Sequence, residues 1–330
     1  MTKELYDVAA IGNAIVDVIA PSDDAFLQAE GLTKSSMQLI DEARATALYA
    51  KMAAGIETSG GSAGNTIAGV ASLGGRAAYL GKVAADQLGE VFAHDMRAIG
   101  ARFDTTALEG GPATARCLIN VTPDGQRTMC TFLGASVELT EADVDPAVIE
   151  GAKIVYLEGY LFDPSEARKA FHKAAELAHA AGRMIAITLS DSFVVERHRD
   201  ELLAFIDDHA DIVFANEDEL TALFQTSFDE AVEAVRGRVK IAAITRSEQG
   251  SVVVSGGQTH AIAAFPVEKV VDTTGAGDQY AAGFLFGLAW GRPLEDCGRL
   301  GSMAAAEVIS HYGPRPQVSL SGLAAAQGLI

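Results

Sequence analysis

Two glycine-rich stretches carry the residues whose types and spacing could do chemistry. One runs Asp272-Thr273-Thr274-Gly275-Ala276-Gly277-Asp278 and leads into the apolar run Tyr280–Trp290. Gly275, Ala276 and Gly277 would set successive backbone N–H groups at a helix N-terminus, an anion hole that needs no cationic side chain. Asp278 would fall in the first turn of that helix. An acid there is ordinary on dipole grounds. Beside an anion hole it also suits a general base that takes a hydroxyl proton as the oxygen attacks a phosphoryl group. Glycines on both sides of Ala276 favour the second reading, because a simple cap does not need them. The other stretch is Ser59-Gly60-Gly61-Ser62-Ala63-Gly64-Asn65, ahead of the helical run Thr66–Leu73. Gly60, Gly61 and Ser62 let a ligand approach the backbone. Asn65 adds a donor and an acceptor suited to ligand hydroxyls.

Other chemistries fail on spacing. Gly60 to Gly64 fits the Gly-x-Ser-x-Gly of a hydrolase elbow, but that turn needs a buried strand before it, and Ala54–Ser59 is too polar. Gly81-Lys82-Val83 lacks the rest of a P-loop, and Gly12-Asn13-Ala14 breaks the dinucleotide-binding pattern. No His-Glu-x-x-His or Cys-x-x-Cys pattern offers a zinc site.

The 330 residues are 49% hydrophobic and 21% charged, which excludes a disordered chain. The formal charge of −19 disfavours a nucleic-acid or anionic-membrane partner, so an anionic ligand must rely on local donors or a metal ion. Tyr280–Trp290 is the longest apolar stretch and is far short of the ~20 residues a membrane span needs. Cys117, Cys130 and Cys297 make an odd count, and MTKELYDVAA has no signal-peptide core. Reduced thiols in a cytoplasm are expected.

From about residue 140, apolar runs of strand length alternate with helical stretches: Ile154–Leu161, Met184–Leu189, Asp211–Asn216 and Lys240–Thr245. Their unbroken hydrophobicity fits a parallel sheet covered on both faces. The stretches at about 11–41 and 101–134 instead alternate polar and apolar residues, and Thr122-Pro123-Asp124-Gly125 marks a hairpin turn. We read these as a small β lid inserted into one α/β unit spanning 1–330.

The two glycine-rich stretches together resemble the signatures of the ribokinase-like (PfkB) carbohydrate and nucleoside kinase family. IGNAIVDV, YLGKVAADQLGE and FANEDEL match in order, so the resemblance covers essentially the whole chain. It implies a ribokinase-like fold and ATP-dependent phosphorylation of a primary hydroxyl. By the same resemblance Asp278 is the catalytic base, and Gly275, Ala276 and Gly277 form the hole for the transferring phosphate. Asn13, Asp17, Gly61 and Asn65 hold sugar hydroxyls. Asn216 and Glu219 place Mg²⁺ and phosphates through water, although the pair reads equally well as a capping box. Thr245, Ser247 and Gly250 match the nucleotide-binding strand end, with Ser247 standing where a glycine is usual. Asp272 and Thr274 lie where ligands of an activating K⁺ often sit. Within the family, IGNAIVDVIAPSDDAFLQAEGLTKSSMQLID resembles the adenosine kinase branch. Adenosine is therefore the expected acceptor, and the alternatives are another nucleoside, ribose or fructose, or a silent binding protein. The expected partners are ATP with Mg²⁺ and a nucleoside or sugar, in a monomer or homodimer. Tyr160-Leu161, with Glu158 nearby, departs from the aromatic residues that branch places around the base.

Overall fold

The computed structural model describes residues 5–330. In chain order its strands are β1 (Tyr6–Ile11), β2 (Ile15–Pro21), β3 (Met37–Leu39), β4 (Ile56–Ser59), β5 (Ala77–Leu80), β6 (Ala115–Val121), β7 (Arg127–Phe132), β8 (Ala152–Glu158), β9 (Met184–Thr188), β10 (Ile212–Asn216), β11 (Ile241–Thr245), β12 (Ser251–Ser255) and β13 (Gln258–Ile262). The main sheet has eight strands in the order β13-β12-β11-β10-β9-β8-β1-β5. From β5 to β11 every pairing is parallel, and β12 and β13 add an antiparallel edge.

The parallel strands are apolar throughout because alternate side chains enter different cores. In β8, Val155 and Leu157 pack with Phe162, Phe171 and Phe205 on one face. Ile154 and Tyr156 pack with Phe214, Tyr280 and Phe284 on the other. Helix Ser165–Ala180 supplies the first face, and helices Ser62–Ser72 and Ala276–Ala289 supply the second. Parallel alignment brings the carboxyl ends of β1, β8, β10 and β11 to one edge, the usual ligand edge of an open α/β sheet.

The second sheet has five strands in the order β3-β7-β6-β2-β4. The predicted hairpin forms between β6 and β7, closed by the Gly125 N–H on the Thr122 carbonyl at 2.8 Å. Two boundaries differ from the sequence reading. The sheet also takes Ile56–Ser59, a strand too short and polar to show in the pattern. Residues 101–114 mostly stay with the main body, where Arg102 bridges Ala78 and Leu108 bridges Ala84. One face of the sheet, with Val18, Leu118 and Cys130, is covered by Leu27 and Leu48. The opposite face carries the cross-strand row Thr58–Asp17–Cys117–Thr131–Leu39.

At the start of β1 the buried Asp7 accepts from the Arg76 backbone N–H at 2.9 Å, from Arg76 Nη2 at 3.0 Å and from Lys153 Nζ at 3.0 Å. Burial pushes its carboxyl up, but these bonds outweigh burial and hold it down at about 2. The depressed value means the stabilisation is complete above the ordinary Asp value of ~3.9 and is lost as pH falls through the folded value. Asp7→Asn should therefore lower unfolding free energy by about 1–3 kcal/mol at neutral pH. The deficit should narrow as pH falls below ~4. Urea melts across that range check this, and a deficit that stays constant with pH contradicts it.

Candidate active site

Helix Ser62–Ser72 starts at Gly61, whose φ of +80° turns the chain sharply at the cap. A Cβ at Gly61 would lie 2.2 Å from the Asn13 carbonyl, and one at Gly60 would lie 2.5 Å from Asp17 Oδ2. These glycines let β2, the Asn13 turn and the helix converge. Across the cleft, helix Ala276–Ala289 starts at Gly275, also at φ +80°, where a Cβ would lie 2.7 Å from Pro314 Cα. The helices face each other through side chains. Ser62 Oγ donates to Asp278 Oδ1 at 2.6 Å, and Asn65 Nδ2 donates to Asp278 Oδ2 at 3.1 Å. Six expected ligand residues, Asn13, Asp17, Gly60, Gly61, Ser62 and Asn65, thus gather around the expected base, Asp278.

The first-turn amides of Gly277 and Asp278 have no helical carbonyl four residues back. A Cβ at Gly277 would meet nothing within 4 Å, so open space lies beside this turn. The expected hole changes in one detail. The Ala276 N–H turns back to the Thr273 carbonyl at 3.2 Å, because the left-handed Gly275 closes a tight turn there. The first-turn amides left without a backbone carbonyl are therefore those of Gly277 and Asp278.

Burial pushes the Asp278 carboxyl up to about 6, against the hydrogen bonds of Ser62 and Asn65 and the charge of Arg315. Asp17 is also pushed up to about 6 by burial, opposed by Arg315 and Arg127 and reinforced by Asp278. Glu158, at the end of β8, is 1% exposed and pushed up to about 7 by burial. It accepts from Ala63 N–H at 2.8 Å and from Asn13 Nδ2 at 2.8 Å. With Nδ2 held there, the buried Asn13 Oδ1 has no partner and is available to a hydroxyl donor.

Asn216 and Glu219 form the capping box: Glu219 N–H donates to Asn216 Oδ1 at 2.8 Å, and Asn216 N–H donates to Glu219 Oε2 at 3.0 Å. Burial pushes Glu219 up to about 7. Both of its oxygens are held by Asn216, Oε2 by the backbone N–H and Oε1 by Nδ2 at 2.7 Å. Among the described residues no cluster of three or more His, Cys, Asp or Glu forms a metal cage. Asn216 pairs with Thr245 across β10 and β11, so both lie on the same sheet edge. Ser247, where a glycine was expected, takes the left-handed φ of +50°, and Gly250 closes the turn with its N–H on the Ser247 carbonyl.

The Asp272 carboxylate is held by donors from three segments. Its Oδ1 accepts from the backbone N–H of Thr274 at 3.1 Å and from Thr274 Oγ1 at 2.7 Å. Its Oδ2 accepts from Gly313 N–H at 3.1 Å and from Arg127 Nη2 at 2.7 Å. The Arg127 guanidinium thus occupies the Oδ2 side of the carboxylate expected beside a K⁺ ion.

Sequence reading missed Arg127, Arg315 and Gln279 and gave Glu158 no role. Glu158 had a signal, a charge closing the apolar run Ile154–Leu157. Arg127 and Arg315 had none: Arg127 opens β7, Arg315 sits in a turn-rich stretch, and both reach the site only through folding. Buried Gln279 ties the helices together by donating from Nε2 to the Asn65 carbonyl at 2.9 Å and to the Pro314 carbonyl at 3.0 Å.

This fold and site define a ribokinase-like kinase, a phosphotransferase with an alcohol group as acceptor. Residues 7–319 match the family described as pfkB family carbohydrate kinase, and the chain belongs to it. A solved adenosine kinase from Sinorhizobium meliloti is 55% identical, with 98% of this chain and 99% of that one aligned at a TM-score of 0.90. A probable sugar kinase from Rhizobium etli CFN 42 is 51% identical, with 99% and 100% aligned at 0.92. Adenosine kinase 2 of Arabidopsis thaliana is 26% identical over 93% of this chain and 95% of its own length.

The two glycines of the catalytic turn separate fold from chemistry. Gly275→Ala should destabilise the protein by about 1–3 kcal/mol, because its φ and its contact with Pro314 both forbid a side chain. Gly277→Ala sits in open helical geometry and should leave Tm unchanged or slightly raised. It should still cut turnover by roughly 10-fold or more by filling the space beside the amides. Thermal melts with a phosphoryl-transfer assay test the pair, and full activity in Gly277→Ala refutes the assignment of that space.

Proposed function

We propose that the protein transfers the γ-phosphoryl group of ATP to the 5′-hydroxyl of adenosine. The observation that supports the nucleoside reading is the face of the second sheet that carries Asp17. Beside the row holding Asp17 runs the row Ile56–Ile19–Ile119–Met129–Met37. Met37 and Leu39, on the edge strand β3, are 52% and 61% exposed, an apolar surface on the same sheet face as Asp17 and three strands away from it. A carboxylate suits the vicinal hydroxyls of ribose, and an apolar surface suits a flat base. A bare sugar has no group to cover it. The relationship to the Sinorhizobium enzyme supports the same reading.

In this mechanism Asp17, the free Asn13 Oδ1 and Asn65 hold the ribose, and the second sheet closes over it as a lid. Asp278 accepts the 5′-hydroxyl proton while that oxygen bonds to the γ-phosphorus. The bond from phosphorus to the bridging oxygen breaks, and ADP leaves with the electron pair. The amides of Gly277 and Asp278 receive the charge on the transferring group. Arg127 is 9% exposed, with Nε and Nη1 unpartnered, and lies beside the same turn through Asp272. Its spare donors suit phosphate oxygens. Mg²⁺ bound with the nucleotide supplies charge neutralisation at the phosphates, and Glu219 and Asn216 would hold it through water. Thr245, Ser247 and Gly250 border the nucleotide.

Asp278→Asn should reduce kcat by about 10²–10⁴ with adenosine affinity within a few fold. Unchanged turnover removes the base assignment. Asp278 must be ionised to act and its carboxyl sits at about 6, so kcat/KM should fall below that pH in the wild type. Leu39→Asp should raise KM for adenosine by roughly 10-fold or more. Steady-state kinetics on a panel of adenosine, other nucleosides, ribose and fructose decides the acceptor. A preference for a bare sugar that Leu39→Asp leaves untouched overturns the nucleoside reading.

A further inference from the structure

Arg315 lies in the segment Gly313-Pro314-Arg315, outside both glycine-rich stretches. The segment is fastened at each residue. Gly313 N–H donates to Asp272, the Pro314 carbonyl accepts from Gln279, and Pro314 backs directly onto Gly275. Arg315 then reaches under the substrate loop, donating from Nη1 to Ser59 Oγ at 2.6 Å and from Nε to Asn65 Oδ1 at 3.3 Å.

The consequence falls on Asn65. Its side-chain amide has an acceptor end and a donor end. Arg315 claims the acceptor, which turns Nδ2 toward Asp278. The reversed amide would set Oδ1 against a carboxylate and Nδ2 against a guanidinium, two repulsive contacts. The charged and titratable groups facing Arg315 are Asp17, Asp95, Tyr79 and Asp278. Asp17 is faced in addition by Arg127, and Asp278 also acts on Glu158, Tyr156 and Tyr160. Arg315 therefore shares its charge between the proposed hydroxyl clamp and the proposed base.

We propose that Arg315 is a positioning residue for phosphoryl transfer, fixing the Asn65 amide so that its donor end faces Asp278 and supplying a cation shared by the Asp17 and Asp278 carboxylates. This inference rests on the kinase reading above. The charge lowers the proton affinity of both carboxylates, so its removal should raise it.

The test compares wild type, Arg315→Gln and Arg315→Lys by kcat/KM for adenosine against pH, and by Tm at pH 5.5 and 8. In Arg315→Gln the acidic limb should move upward by about 1 in pH. Its kcat/KM at neutral pH should fall by roughly 10- to 100-fold. Its Tm deficit should be larger at pH 8, where both carboxylates must ionise without their shared cation, than at pH 5.5. Arg315→Lys should keep the wild-type limb but lose kcat, because one ammonium on a flexible stem does not reproduce the fork that holds Ser59 and Asn65. A limb in Arg315→Gln that coincides with wild type, together with a pH-independent Tm deficit, overturns the proposal. If Arg315→Gln does not fold, Arg315→Lys decides alone, and wild-type kcat there overturns the positioning role. Wild type inactive on every acceptor would instead overturn the kinase reading, while the Tm comparison still decides whether Arg315 serves the two carboxylates.

Discussion

Asp17 and Asp278 are two carboxylates held in one buried cleft, and most of the surrounding structure answers that arrangement. Removed from water, each resists ionisation, and each charge disfavours the other. The cleft answers with Ser62 and Asn65 hydrogen-bonded to Asp278, and with the guanidinium groups of Arg315 and Arg127 acting on the site. The balance leaves both carboxyls near 6, above the ordinary range for an aspartate. In the proposed mechanism a carboxylate poised near that value is ionised at neutral pH yet accepts a proton readily from a hydroxyl.

Such a balance tolerates little positional error, and the backbone supplies the precision. Asn13 and Glu158 follow or end adjacent parallel strands, and the two helix starts are brought face to face behind them. Buried Glu158 links the strand edge to helix Ser62–Ser72 by accepting from both Asn13 and Ala63. Gln279 links helix Ala276–Ala289 to helix Ser62–Ser72 and to the segment that carries Arg315. These contacts join residues far apart in the chain, so the cleft is set by the packed core rather than by a flexible loop.

The second sheet serves two environments with its two faces. Period-2 alternation sends Val18, Leu118 and Cys130 to a small core of its own and sends Asp17, Cys117 and Thr131 toward the cleft. Exposed apolar side chains on β3 are costly unless something covers them. They share the sheet face that carries Asp17, three strands away from it.

Much of this was legible in the residues themselves. The continuous apolar runs dictated a covered parallel sheet, the alternating runs dictated a half-exposed one, and the Asp272–Asp278 turn announced a helix start with a carboxylate, because these are local properties of backbone and side chain. The capping box at Asn216 and Glu219 was equally local. The partners of the site were not. Arg127 pairs with Asp272 across 145 positions of chain, and Arg315 reaches Asn65 across 250, so no spacing rule connects them. Only the tertiary structure decided that Ala276 spends its amide on Thr273, that Asp272 meets a guanidinium, and that two distant arginines balance the carboxylates. Those outcomes depend on which surfaces meet when the helices pack, and packing is a property of the whole chain.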